Sequence, residues 1–288
     1  MPYSFPIERY TKETRNKDHK NKLIEDLKTH GVAFISHHVS PLYIDFAMQQ
    51  CLNHHKANTQ HNSGGIVNGT RHMLSYNYNE VFDPKDHSSI LKSTLNLIIF
   101  ETMHSLLKEY PDLNIDIHEC KADFSINQYH KITEKDFQTL RREKKLQSTE
   151  KPHTYIRFNS HYDVGLFNIL YLKRPNFSDI EFCNNEFGFY QEPKFEEEND
   201  PDKTYFLIIA GKELERRTCL QIRSPWHRVV FKREARCNVS QRTSLVSAIR
   251  LPDQTNILKD YKRFETKAKI NQENTARKQY LQLQKHRF

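Results

Sequence analysis

Seven short stretches after about Ile117 read as strand candidates, most of them alternating apolar and polar residues with period two. They are residues 122–129, 154–163, 168–172, 186–191, 205–210, 226–232 and 243–251. Side chains two apart on a strand share a face, so this alternation marks half-buried strands. Several such strands in succession close into a sandwich or barrel. The first 116 residues read differently. Leu23, Ile24 and Leu27 stand at helical spacing ahead of Gly31, a residue type that closes helices in the left-handed region. Residues 32–35 (VAFI) read as a buried strand. Ser40-Pro41 supplies an N-cap followed by proline at the first helical position, opening a helix towards Lys56. Residues 58–79, with three glycines, read as loop, and residues 86–110 carry Ile90, Leu91, Leu95, Ile98, Ile99, Met103 and Leu106 on one helical stripe. The expected class is α+β. A largely helical part spans 1–116, a β core 117–252, and a basic tail of helical composition 253–288. Within the core, 133–151 and 192–203 are charged, glycine-free insertions, the first helical and the second an acidic loop.

Composition narrows the function classes. The 288 residues include 18 Phe and 14 Tyr, enough bulky surface for a core and too much for a disordered chain. No apolar run is longer than the six residues 205–210, far short of the roughly 20 residues that cross a bilayer, so no membrane partner is expected. The opening residues show no apolar leader region, which makes the cytoplasm the expected location. Five cysteines without a CxxC pair argue against a disulfide framework and a thiolate zinc site. The net charge is +8, but residues 252–288 hold nine Lys/Arg against four Asp/Glu, so much of the excess sits in the tail. The body is only mildly basic, and nucleic acid is not an expected partner.

Three of the strands turn polar pairs toward one face, where a half-buried sheet usually turns apolar residues. The pairs are His161 and Asp163 in SHYDVG, Arg242 and Ser244 in QRTSLV, and Asn127 and Tyr129 in INQYH. A metal with an anionic ligand would account for them. By itself an H-x-D pair is weak evidence, since a chain with 16 His carries one by chance. Its context is stronger. His227 follows Asp163 by 64 residues and Arg242 follows His227 by 15. Two imidazoles and one carboxylate with open coordination positions form the facial triad favoured by non-haem iron(II) oxygenases, and an arginine offers a bidentate anchor for a carboxylate.

Five ordered segments between Leu23 and Pro252 carry a resemblance to a known family. LIEDLKTHGVAFISHHVS resembles the N-terminal helix, glycine, strand and turn of the isopenicillin N synthase-like branch of the iron(II)/2-oxoglutarate-dependent dioxygenases. HYDVGLFNILYL is similar to that branch's H-x-D-x-G-x-L-T-L-L strand pair, and FLIIAGKELERRT to its I-G-D-x-L-x-x-x-T segment. SPWHRVV and QRTSLVSAIRLP resemble its S-x-x-H-R-V and R-x-S segments. The resemblance implies a distorted double-stranded β-helix, or jelly roll, with N-terminal and C-terminal helices packed against it. It implies His161, Asp163 and His227 as ligands of Fe(II), with Arg242 and Ser244 holding the distal carboxylate of 2-oxoglutarate and Tyr129 and Asn127 helping to position it. O2 would be the second cosubstrate. The implied reaction oxidises, most often hydroxylates, a C–H bond of a small substrate, amino-acid- or peptide-derived, releasing succinate and CO2. A monomer is the expected state.

The sequence departs from the family pattern in three places. The interval from Asp163 to His227 is long, with residues 192–203 as the place for the excess. The interval from His227 to Arg242 is also long, which leaves Arg236 as a competing anchor. Arg242 is preferred because Ser244 shares its face and Arg236 sits in a turn-like KREARCN. Lys212 stands where the family carries Asp. Tyr155, Arg157 and Asn159 are in phase with His161 and are candidates for the substrate side, as are Arg71 and Tyr76 in RHMLSYNY. Two other readings stand beside the main one. One is an isopenicillin N synthase-like oxidase that uses O2 without 2-oxoglutarate. The other is a non-catalytic jelly-roll binding protein with a partner-binding tail.

Overall fold

Gly31 adopts φ +72°, and its N–H donates to the Leu27 carbonyl at 2.9 Å, closing the first helix where the sequence marks its end. A Cβ there would lie 2.2 Å from the Arg223 carbonyl oxygen, so the turn also needs glycine for space. The structure is a computed structural model that describes residues 6–7, 9–11, 17–56, 71–76, 87–113, 115–172, 179–183, 190–191, 194–195, 204–233 and 242–251. In chain order the strands are β1 (Pro6–Ile7), β2 (Arg9–Thr11), β3 (Val32–His37), β4 (Arg71–Tyr76), β5 (Lys121–Tyr129), β6 (Thr154–His161) and β7 (Phe167–Leu172). They continue with β8 (Ile180–Cys183), β9 (Tyr190–Gln191), β10 (Lys194–Phe195), β11 (Thr204–Ala210), β12 (His227–Lys232) and β13 (Arg242–Arg250). The helices are α1 (Lys17–His30), α2 (Pro41–Lys56), α3 (His87–Glu109), α4 (Glu134–Arg142) and α5 (Lys212–Arg217).

Among the described residues, one sheet has seven strands in the order β2-β3-β11-β7-β13-β5-β4 and another has four in the order β6-β12-β8-β9. Most neighbours are antiparallel; β2 beside β3 and β1 beside β10 are parallel. In the larger sheet β11 is buried on both faces. Phe206, Ile208 and Ala210 join the core formed with α1, α2 and α3, while Tyr205, Leu207 and Ile209 face Ile180 and Phe182 of the smaller sheet. A strand covered on both sides loses the apolar-polar alternation, and TYFLIIA does. β13 keeps it. Leu245 and Ile249 join the helix-side core, whereas Arg242, Ser244, Val246 and Ala248 line the space between the sheets. Helices back one sheet and the two sheets enclose a cavity, which is the jelly-roll arrangement.

The helices expected over 17–30, 41–56 and 86–110 are present, and two other expectations differ. The segment expected as a helix over 133–151 is helical only over Glu134–Arg142, opened by a capping box in which Thr133 and Asp136 satisfy each other's backbone N–H groups. The loop expected over 58–79 contains a strand, β4, which pairs with the outer edge of β5 and sets Arg71 opposite Tyr129. A polar edge strand has no alternation signal, which is why composition alone reads it as loop. β8 carries no signal either; it is four residues long, below the length at which period two is distinguishable. Of the strand expected over 186–191, residues 190–191 form β9. The tail after Leu251, the acidic segment 196–203 and the Arg236 turn lie outside the described residues. Among those described, no helix is long and apolar enough to cross a membrane.

Asp26 lies on the α1 face that also carries Leu23 and Leu27, and it is buried with Oδ2 lacking a hydrogen-bond partner. Burial pushes its pKa from 3.8 to about 7, against a smaller downward pull from Lys22. A raised carboxyl pKa means the fold favours the protonated form. The contribution is fully present below about pH 4, the unfolded value, and is lost as pH rises through about 7. Asp26→Asn is therefore expected to raise Tm at pH 8 and flatten the fall in stability between pH 4 and 8; a lower Tm at pH 8 would contradict this account.

Candidate metal centre

β6 and β12 are neighbours, and their register sets His161 directly opposite His227. Their ring centroids are 4.3 Å apart. Asp163 lies just past the end of β6. Its Oδ1 is 3.8 Å from His161 Nε2 and its Oδ2 is 3.8 Å from His227 Nε2. One ligand atom from each of the three residues falls within 4.8 Å of the others. Such spacing lets all three reach one ion at the roughly 2 Å typical of nitrogen and oxygen ligands.

Both imidazoles are held from behind. His161 Nδ1 lies 2.8 Å from the Asn159 carbonyl oxygen, and His227 Nδ1 lies 3.1 Å from that of Pro225. A carbonyl can only accept, so each Nδ1 carries the proton and each Nε2 presents a lone pair toward Asp163. Asp163 Oδ2 is buried with no hydrogen-bond partner. A buried carboxylate oxygen lacking a donor, between two imidazole lone pairs, is an unfavourable arrangement of three acceptors that a divalent cation would satisfy. The donor set of two nitrogens and one carboxylate oxygen suits Fe(II) and leaves coordination positions open.

The loop that carries Asp163 is fastened by α5. The Lys212 N–H donates to the Asp163 carbonyl at 2.8 Å, and the Glu213 N–H to those of Val164 and Gly165 at 3.2 and 3.1 Å. The first N–H groups of a helix have no partners within it, and here the ligand loop supplies them. Gly165 and Gly211 make the approach possible. A Cβ on Gly211 would lie 2.0 Å from the Gly165 carbonyl oxygen, and one on Gly165 would lie 2.3 Å from that of Ile249. Gly211→Ala is expected to push the loop outward, lowering stability by about 3 kcal/mol, or Tm by roughly 6–12 °C, and weakening divalent-metal binding with it. A variant that melts and binds like the parent would show that the contact is not limiting. The Lys212 side chain has its Nζ 3.9 Å from the centre of the Tyr162 ring and pairs with Glu215.

The cavity between the sheets has a volume of about 340 Å³. The triad occupies one wall, and Asn127, Tyr129, Arg242 and Ser244 line another, with Phe158, Ile180 and Ile209 among the apolar lining. The register aligns Arg242 with Tyr129 and Ser244 with Asn127, so the two polar strand pairs singled out in the sequence form a single patch. Arg242 is 2% exposed. Its Nε and Nη1 lack hydrogen bonds, and its nearest carboxylate among the described residues, Asp179 Oδ2, is 3.8 Å from Nε. Asn127 Oδ1 is likewise buried and unpartnered.

The candidates on the substrate side are placed differently from the expectation. Register shifts on either side of the Phe158–Val229 pair insert extra residues into β6, and each reverses the strand's phase. As a result Phe158 lines the cavity, Asn159 is exposed, and Tyr155 packs against Phe137 and Phe231 outside it. Arg157 is buried beside Tyr129. Arg71 and Tyr76 sit at the ends of β4, with only their backbone register described. Asp179, close to Arg242, has no signal in the sequence. Bulges are likewise invisible to a count of alternate positions.

No family model and no curated protein matches the chain by sequence. Solved structures do match its fold. The Arabidopsis thaliana dioxygenase for auxin oxidation 1, in a complex with 2-oxoglutarate, has a TM-score of 0.62 at 16% identity, covering 86% of this chain and 94% of its own. A full-length Neurospora crassa protein, in complex with alpha-KG and 5-formyluracil, has a TM-score of 0.62 at 12% identity, covering 86% and 85%. The rice dioxygenase for auxin oxidation has a TM-score of 0.58 at 13% identity, covering 86% and 84%. The chain therefore shares nearly the whole fold of these proteins, as the jelly-roll expectation required.

Proposed function

We propose that this protein is an iron(II)- and 2-oxoglutarate-dependent oxygenase in which His161, Asp163 and His227 hold the metal and Arg242 and Ser244 hold the distal carboxylate of the cosubstrate. The observation that carries the reading is the convergence of three metal-ligating atoms in one cavity with a buried guanidinium, two of whose nitrogens lack hydrogen-bond partners. Bound iron, with 2-oxoglutarate and O2, supplies oxidative decarboxylation to succinate and CO2 coupled to oxidation of a C–H bond. The protein's part is placement. The carbonyls of Asn159 and Pro225 keep the histidine lone pairs aimed at the ion. Arg242 offers two N–H directions to a carboxylate, Ser244 a hydroxyl beside it, and Tyr129 and Asn127 flank both. The apolar lining excludes water from the reacting C–H bond. The cavity volume supports a small molecule beside the cosubstrate, and the resemblance to the isopenicillin N synthase-like branch favours an amino-acid- or peptide-derived one. A monomeric state, the cytoplasm and the absence of a membrane partner are working assumptions of this reading.

The test is O2 consumption and succinate formation by the Fe(II)-loaded protein with and without 2-oxoglutarate. Succinate formed only when Fe(II) and 2-oxoglutarate are both present supports the reading. O2 uptake with a substrate but independent of 2-oxoglutarate would replace it with an isopenicillin N synthase-like oxidase, and absence of Fe(II) binding would leave a jelly-roll binding protein.

A further inference from the structure

Arg157 is a second fully buried arginine, 1% exposed, packed behind Tyr129 of the cavity wall. Its Nη2 donates to the His130 carbonyl oxygen, but its Nε and Nη1 are buried without hydrogen-bond partners. Arg242 is in the same condition at the same two atoms. Both guanidiniums lie against one ring, with Cζ 4.9 Å from the Tyr129 centroid for Arg157 and 5.1 Å for Arg242. Two buried cations thus share a neighbourhood whose described carboxylate, Asp179, stands 3.8 Å from Arg242 Nε, beyond hydrogen-bond reach. Burial, and next the charge of Arg242, lower the pKa of Arg157 to about 10, with Asp179 opposing. Cation–π contact offsets part of this cost, yet a buried guanidinium usually has its N–H groups satisfied by oxygen.

We infer that Arg157 and Arg242 form a two-arginine site for the ligand carboxylate remote from the metal, Arg157 contributing a second positive charge and the N–H groups that Arg242 cannot orient alone. The inference rests on the proposed function and deepens it, since the cosubstrate pocket then selects strongly for a second carboxylate. With Asp179 alone, the two arginines leave one excess positive charge; one bound carboxylate neutralises it. Arg157 also stands four residues before His161 on β6. The Phe158–Val229 pair separates it from the His161–His227 pair, so it lies away from the triad and beside Tyr129, the residue whose ring also meets Arg242.

The experiment measures binding to the Mn(II)-loaded protein by calorimetry, with 2-oxoglutarate and with 2-oxovalerate, which can chelate the metal through the same oxo-acid group but has no distal carboxylate. Arg157→Gln is expected to weaken 2-oxoglutarate binding 10–100-fold and to leave 2-oxovalerate within twofold. Arg157→Lys, which keeps the charge without the planar fork, is expected to recover part of the loss. A 2-oxoglutarate affinity within twofold of the parent in both variants would overturn the inference while leaving the function standing. Equal losses for both ligands would also overturn it, because that pattern marks a structural role through Tyr129. If the unaltered Mn(II) protein binds no 2-oxoglutarate, the proposed function falls and this inference with it. Thermal unfolding of each variant identifies one that fails to fold, in which case Arg157→Lys alone decides.

Discussion

Asp163→Ala binds Fe(II) or Mn(II) at least roughly 100-fold more weakly than the parent, judging from the 10–100-fold effect of losing a partner that merely orients a ligand. It yields no succinate, yet the metal-free variant melts at or above the temperature of the metal-free parent. The two outcomes are linked. Oδ2 of Asp163 is buried without a donor, so in the absence of metal the side chain is a burden on the fold. Removing it relieves that burden and deletes the one anionic ligand. Metal stabilises the parent because it binds only the folded chain; that rise in Tm vanishes in the variant. Calorimetric titration and melting curves with and without metal check both halves. A metal-free variant several degrees less stable than the parent would mean that Asp163 holds the loop rather than the ion.

Arg242→Ala raises the Kd for 2-oxoglutarate about 100-fold, or about 3 kcal/mol, the scale of a buried, charge-assisted contact, and leaves metal affinity near that of the parent. The separation follows from topology. The triad sits at the β6–β12 pair of the smaller sheet, whereas Arg242 belongs to β13 of the larger one, so the losses are independent. Arg236→Ala, in the segment outside the described residues, is expected to change the Kd by less than about twofold. Equal effects of the two substitutions would shift the anchor to Arg236, the nearer arginine in the sequence.

Much of the fold is legible because its signals are local. The left-handed Gly31, the α3 stripe and the alternation along β5 and β13 each need only a window of neighbouring residues. The site is legible for a different reason. Polar side chains at alternate positions of strands with otherwise apolar inner faces conflict with burial, and in β13 the conflict lies in Arg242 and Ser244 themselves. What escapes depends on partners distant in sequence. β4 is a strand only because β5 offers an edge. The shifts that send Asn159 outward are a property of β6 against β12 and are absent from the amino-acid pattern of β6 alone. Counting in twos puts Arg157 on the substrate side; its actual place beside Tyr129 follows from those same shifts.

The backbone carbonyls behind the two imidazoles settle which ring nitrogen is protonated before any ion arrives. A hydrogen bond behind each ring restrains its rotation, so the triad is preorganised for an ion. Discrimination among divalent ions then rests on how well each fits donors already in place, and a protein stripped of its metal by a chelator keeps the geometry to reload without refolding.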